Sequence, residues 1–403
     1  MIKEIVLRDF FSFRGENAIK LNPSGINLLV GINGSGKTSF INALRLLVEG
    51  VCGKGVEYLM QEVWNGYDEV VNFNGDRTAP CVQLSYLFDY EQVNAITPDV
   101  RLHDDLWYQI TITRSGTSYK INERLSSARD DGNGGFVFLD FRNGSGRIST
   151  RSDDGTITLA EYSNGGVSGT ELVVRQISDA VHYLPVHAFH RAVESLVVYT
   201  RFDVGEESKV RRPANFSTAV RLLKNGENLT QIVNDLKVQS TFRFAKMEEY
   251  LHRVNPSYRG IGIDNRYGQA YLYINEHNLS RVVGALHISD GTLRYLMLEA
   301  IFLNPNRGAM VVVDEPENSL HPDMLRTLAE MMKEAAKETQ IIVATHSPHL
   351  LNQFNLDDVL VFEKNEENRT QVKRPTESDF EDYEGELLPG LLWLRGMIGG
   401  KVW

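Results

Sequence analysis

The spacing of apolar residues changes along the chain, and each change marks an element. Ile26-Asn-Leu-Leu-Val30 is an apolar run of strand length that leads directly into Gly31-Ile-Asn33-Gly34-Ser35-Gly36-Lys37-Thr38-Ser39. Phe40, Ile41, Leu44 and Leu47 then recur at helical spacing, so the Gly-rich segment joins a buried strand to a helix that begins at Lys37. From about residue 80 to 165 the period becomes two. Val82, Leu84 and Tyr86 alternate with Gln83 and Ser85, and Ile110 and Ile112 alternate with Gln109, Thr111 and Thr113. Asp131-Gly132, Asn143-Gly144 and Asp154-Gly155 punctuate this stretch as hairpin dipeptides, which predicts an antiparallel β lobe with mobile loops between Asp130 and Gly166.

Helical spacing dominates from about 168, as in Asn228-Leu-Thr-Gln-Ile-Val-Asn-Asp-Leu236 and Phe244-Ala-Lys-Met247-Glu-Glu-Tyr250-Leu251. No heptad persists over three or four repeats, so no long coiled coil is expected. Strand-like text returns at Gly268-Gln-Ala-Tyr-Leu-Tyr-Ile274. It is followed by the turn Ser289-Asp290-Gly291-Thr292 before an apolar helix, and then by two apolar strands, Met310–Val313 and Ile341–Ala344. The expected divisions are 1–80, a first α/β half with the Gly-rich segment; 81–167, the β lobe; 168–280, a mainly helical insertion; 281–365, a second α/β half; and 366–403, an acidic and then apolar tail.

Composition adds limits. Apolar residues make up 42% and charged residues 24% of 403, enough apolar mass for a core. No run approaches the roughly 20 apolar residues of a membrane span, and the first residues read as a strand rather than a signal peptide. Cys52 and Cys81 have no metal-ligand spacing, and a reducing cytoplasm is the expected compartment. A net charge of −11 argues against a surface coated for nucleic acid, though not against a local basic groove. The local candidates, Lys209-Val-Arg-Arg212 with Arg201, Arg243 and Lys246, read as solvated or salt-bridged positions.

The chemistry lies in segments roughly 275 residues apart. The first matches G-x-x-x-x-G-K-[ST] between a strand and a helix, where backbone N–H groups can cradle phosphate oxygens. Lys37 supplies charge to the β and γ phosphates, the Thr38 hydroxyl suits Mg²⁺, and the helix N-terminus adds its dipole. In the second, Met310-Val-Val-Val leads into Asp314 and Glu315. Asp314 is placed to hold Mg²⁺ and Glu315 to polarise an attacking water. His346, at the end of the next apolar strand, is a candidate sensor of the γ phosphate and that water. The turn at Ser289 is either a second anion-binding device or an N-cap and nothing more.

Cradle, Ser289-Asp-Gly-Thr-Leu-Arg, Asp314-Glu-Pro-Glu-Asn-Ser-Leu-His-Pro and Ala344-Thr-His-Ser-Pro stand in the order of ABC-type ATPase heads. The chain resembles the RecF, SMC and OLD-nuclease branch, and within it the stand-alone ATPases of bacterial anti-phage defence. The resemblance is good over about 1–50 and 280–365. It implies an α/β P-loop NTPase head, a mixed sheet flanked by helices, that takes ATP and Mg²⁺ and hydrolyses ATP slowly, as a switch. It also implies a homodimer closed around two nucleotides, with a higher oligomer left open. Ser289 and Gly291 of each subunit would meet the partner's γ phosphate, with Asp290 and Thr292 in the same turn, and Ser319-Leu-His321 would cross the interface. The turn departs from the transporter-like Ser-Gly-Gly, and no residue stands out for the Q-loop, Gln61 and Gln83 being weak candidates. OLD nucleases continue into a Toprim domain, whereas only about 40 residues follow the last strand here, so a separately encoded effector is the expected partner. The alternative is a RecF-like repair ATPase that clamps DNA directly. The apolar end, Leu387–Trp403, is expected to pack on its own head or to dock into a partner.

Overall fold

A computed structural model of the chain describes residues 1–74, 77–128, 135–151, 157–162, 166–177, 179–266, 268–380 and 385–399. Its centre is a six-stranded sheet in the order Leu196–Tyr199, Met310–Asp314, Gln340–Ala344, Ile26–Val30, Val359–Lys364, Thr370–Lys373. All pairs are parallel except the last, in which Thr370–Lys373 runs antiparallel along the edge. Every residue of Ile26–Val30 and Gln340–Ala344 is buried, as befits parallel strands covered on both faces. Successive side chains serve opposite cores: Met310, Val312 and Leu29 face one apolar cluster, and Val311, Val313, Leu28 and Val30 face the other.

The first cluster lies between this sheet and an eight-stranded antiparallel sheet. That sheet begins with Ile2–Arg8 and Glu16–Lys20 and continues through Cys81–Phe88, Leu106–Ser115, Ser118–Ser127, Val137–Arg142, Ser145–Arg151 and Ile157–Glu161. The β lobe is therefore continuous with the N-terminal strands. The alternation read at Val82, Leu84 and Tyr86 is the buried face of Cys81–Phe88. Asn143-Gly144 makes its hairpin with φ of 51° and 80°, both positive as a type I′ turn requires. Asp131-Gly132 and Asp154-Gly155 lie outside the described residues, as do parts of the loops expected to be mobile.

The second cluster holds the helices Leu229–Gln239, Thr241–Val254, Asp290–Phe302 and Pro322–Ala335, with a small sheet centred on Gln269–Glu276. Among the described residues no helix exceeds the 15 residues of Lys37–Val51, so nothing here is a coiled-coil arm. Nor is any described helix long and apolar enough to cross a membrane. One strand departs from the expected plan. Leu196–Tyr199 falls in the stretch expected to be mainly helical, yet it pairs with Met310–Asp314 at the edge of the parallel sheet. A four-residue apolar run carries no period that tells strand from helix; its neighbour decides.

The carboxyl of Glu299 is buried without support. Glu299, in the middle of Asp290–Phe302, is fully buried, and neither carboxylate oxygen has a hydrogen-bond partner. Burial pushes its carboxyl well above the ordinary range, so the folded chain holds it protonated while the unfolded chain ionises it. Stability is thus fully present at pH values below the ordinary glutamate range and is lost as pH rises toward the raised value. Glu299→Met is expected to raise unfolding stability by about 1–3 kcal/mol at pH 8 and by clearly less at pH 5. Urea melts at the two pH values test this; an equal change at both would show that ionisation is not the source.

Candidate functional site

The parallel sheet brings the sequence-predicted segments together at the C-terminal ends of its strands. Ile341, Ile342, Val343 and Ala344 pair with Ile26, Asn27, Leu28 and Leu29, and Asp314 pairs with Ala344. The Thr345 amide donates to Leu29 O at 3.1 Å and the Glu315 amide to Ala344 O at 2.9 Å. The register thus sets the cradle, Asp314, Glu315 and His346 at one edge, the usual ligand position in an open α/β sheet.

The cradle is shaped by close approach. Gly31 has φ 151°, and a Cβ there would lie 2.3 Å from Phe362 O. Gly36 sits at the N-cap of Lys37–Val51 with φ 114°, and a Cβ there would meet Thr370 Oγ1 at 2.6 Å. Thr370 is an unforeseen support: its Oγ1 lies 3.0 Å from Ser35 O and 2.9 Å from Ser12 Oγ, its one proton directed at either acceptor, and Ser12 Oγ in turn lies 3.0 Å from Ser39 Oγ. Lys37 is buried, and its Nζ donates to Gly31 O at 2.7 Å and Ile32 O at 3.3 Å. Burial pulls its pKa down to about 8 against the opposing pull of Asp314, Glu315 and Glu317. Asn33, Gly34 and Thr38 are exposed at the mouth.

Three features fit a phosphate. No side chain caps the helix that Gly36 opens, the buried Ser35 hydroxyl has no partner, and Lys37 is held by carbonyls of the loop itself. Asp314 is raised to about 6, chiefly by burial and then by Glu315, with Lys37 opposing, so it is poised to gain from a cation. Among the described residues no group of three or more His, Cys, Asp or Glu could hold a metal. A divalent ion here would rest on Asp314, Thr38 and phosphate oxygens, the pattern Mg²⁺ favours.

Glu315 takes left-handed backbone, φ 47°, unusual for a residue with a side chain. Its carboxylate accepts from Asn318 Nδ2 and lies 3.7 Å from His346 Nε2. Burial, then Lys37, lowers the His346 pKa while Glu315 opposes, so the ring is neutral at pH 7 and able to accept a proton. The segment Pro389–Leu394 packs beside this histidine, with the rings of Trp393 and His346 6.5 Å apart. The described part of the apolar tail therefore lies on its own head.

Sequence reasoning gave Glu317 no role. Its Oε1 accepts from Thr345 Oγ1 at 2.6 Å and from the His346 amide at 2.7 Å, which fixes the turn that presents His346. It stands in Asp314-Glu-Pro-Glu, but nothing in that spacing shows which carboxylate reaches a strand 28 residues on.

The turn Ser289–Thr292 is a helix start in which Ser289 and Asp290 are exposed, Gly291 is half-buried and Thr292 is buried, and its hydrogen bonds do not reach the cradle. Ser289 Oγ accepts from the Thr292 amide at 3.2 Å as an N-cap, and Thr292 Oγ1 lies 3.2 Å from Tyr258 OH. Asp290 pairs with Arg211, whose buried guanidinium also donates to Val204 O, Ala285 O and Ile288 O at 2.9, 3.1 and 2.7 Å. Arg211, counted in the sequence among solvated basic positions, is thus a strut beneath the turn. Lys209 and Arg212 do pair at the surface, with Glu227 and Glu207. Gln61 bonds Glu57 and Gln83 accepts from Arg8, so neither reaches the cradle.

The chain is similar to known proteins in sequence and in fold. Residues 4–168 match a family model described as an AAA domain, and residues 191–352 match one described as an AAA domain, putative AbiEii toxin, Type IV TA system. The chain is 35% identical over 91 residues to an uncharacterised protein of Methanocaldococcus jannaschii, a match that spans 23% of each. In fold it is similar to an SMC head bound to the C-winged helix domain of ScpA, with TM-score 0.60, 14% identity and 94% and 98% of the two chains covered. It is similar also to an SMC head with an extended coiled coil bound to the C-terminal domain of ScpA derived from Pyrococcus furiosus, with TM-score 0.58, 12% identity and the same coverage.

Glu317→Ala leaves the Thr345 hydroxyl and His346 amide without their acceptor and is expected to cost about 1–3 kcal/mol of unfolding stability. Glu317→Gln keeps an acceptor and is expected to cost less than half as much. Equal losses in urea denaturation would mean that the acceptor is not what holds this turn.

Proposed function

We propose that this chain, an ABC/SMC-like ATPase that carries AAA-type domains on an SMC-head-like fold, closes as a dimer around two ATP molecules and thereby controls a separately encoded effector in bacterial defence. The observation that carries the reading is the split of the site. Cradle, Asp314, Glu315 and His346 converge at one sheet edge, while the Ser289–Thr292 turn, exposed at Ser289 and Asp290, makes no hydrogen bond to its own cradle. A turn of this kind is free to meet another subunit's nucleotide.

In the proposed mechanism Lys37 and the N–H groups of Gly34, Gly36, Lys37 and Thr38 would hold the β and γ phosphates, the Ser35 amide being taken up by Ile32 O at 3.1 Å. Thr38 and Asp314 would hold Mg²⁺, which when bound would supply positive charge beside the phosphate oxygens. Glu315 orients the attacking water and takes its proton, and neutral His346 bonds that water or the γ phosphate. Ser289 and Gly291 would close the site from the partner, with Asp290 and Thr292 shaping the turn. The ties of Glu315 to Asn318 and to left-handed backbone suit slow, switch-like turnover. The defence setting is supported by the toxin-system description attached to the model over 191–352, and a separate partner by the ScpA domains seated on heads of similar fold.

Glu315→Gln is expected to abolish turnover in a phosphate-release assay while ATP binding and ATP-dependent dimerisation persist; unchanged hydrolysis would remove Glu315 from its role. Lys37→Ala is expected to lose nucleotide affinity by at least about tenfold, the loss of one charge-assisted contact to phosphate. DNA binding measured against salt, with and without ATP, is expected to be weak. A steep fall of log affinity with log salt in the ATP state would instead favour direct DNA clamping.

A further inference from the structure

Arg294 lies on the helix Asp290–Phe302, whose N-terminus forms the Ser289–Thr292 turn, and its side chain points away from solvent. Its Nη2 donates to Glu315 O at 2.6 Å. Its Nε is buried with no partner, and its guanidinium lies 5.0 Å from the ring of Phe202. The carboxylates of Glu317, Glu315 and Asp314 supply the field that favours its charge against burial. A buried guanidinium with an unsatisfied donor is a poor device for stability, since an apolar side chain of similar volume would serve better there. What it does supply is a rigid bond to the carbonyl of the one residue here whose backbone is both left-handed and adjacent to the magnesium carboxylate. The same helix touches the same loop again at Gly291, where a Cβ would lie 2.6 Å from Ser319 O.

We infer that Arg294 is a positioning residue that joins the turn presented to a partner's nucleotide and the hydrolytic Glu315 of its own subunit into one rigid unit. A displacement of the Ser289–Thr292 turn on contact with the partner is then carried to the Glu315 backbone, so each subunit's hydrolysis answers to its neighbour's occupancy. This rests on the ATPase reading above.

The test uses the full chain, with steady-state ATP turnover, binding of a fluorescent N-methylanthraniloyl ATP, and thermal unfolding, for the unaltered protein, Arg294→Met and Arg294→Lys. Arg294→Met is expected to lower kcat by at least about tenfold with KM and nucleotide affinity within about threefold, the pattern of an interaction needed beyond binding. Its unfolding temperature is expected to be no lower than that of the unaltered chain. Arg294→Lys, which keeps a donor for Glu315 O, is expected to recover part of kcat. Unchanged kcat in Arg294→Met beside an active unaltered chain would overturn the inference alone. So would parallel loss of nucleotide affinity and folding stability, which marks a purely structural residue. No turnover in the unaltered chain would overturn the ATPase reading and this inference with it.

Discussion

Everything chemical in this molecule depends on parallel pairing between Ile26–Val30 and Gln340–Ala344. The pairing is held by apolar burial on both faces and fixed in register by side chains as well as by the ladder. Gln340 accepts from the Ile2 amide at 2.9 Å and donates to Ile2 O and Asn22 O at 2.8 and 2.7 Å. Buried Asn27 accepts from the Asn22 amide at 2.8 Å and donates back to Asn22 O at 3.0 Å. A slip of one residue would break the Gln340 bonds and turn each apolar side chain to the wrong core, while the Asn27 pair holds the strand it belongs to against Asn22. It would also draw the two carboxylates away from the cradle. Register and active geometry are one constraint.

The elements with strong local patterning were the legible ones. The strand–loop–helix around Lys37 carries its own spacing, its glycines and its apolar stripe, and the β lobe announces itself by alternation at Val82, Leu84 and Tyr86. Leu196–Tyr199 was not legible, because its strand identity comes from Met310–Asp314 beside it. The same holds for the supports of the site. Thr370 reaches Ser35, Arg211 reaches Ile288 and Arg294 reaches Glu315 across long stretches of chain. Residue type and local spacing say what a side chain can do; only the tertiary partner says which of several arginines does it.

Charge is handled differently on the two faces of the parallel sheet. On the cradle side, Asp314 and Lys37 are largely buried and displaced from their ordinary pKa values toward neutrality, a state that a bound phosphate and cation would reverse. Inside the opposite core, Glu299 is displaced the same way with nothing to reverse it. The first is an electrostatic arrangement awaiting a ligand, the second a fixed cost carried by the helix that starts at the Ser289 turn. Such violations of burial rules gather near sites more often than in ordinary cores.

The position of Ile26–Val30 in the middle of the parallel sheet also has a meaning in time. Both of its neighbours, Gln340–Ala344 and Val359–Lys364, lie about 310 residues or more further along the chain. At ribosomal rates of about 5–20 residues per second, the apolar strand waits roughly 15–60 s for its first partner. During synthesis the nascent chain therefore exposes a sticky, edge-like segment beside a Gly-rich loop that has nothing yet to brace it. A protein built this way leans on whatever shields unpaired strands in the cell, and its yield is set as much by that interval as by the stability of the finished fold.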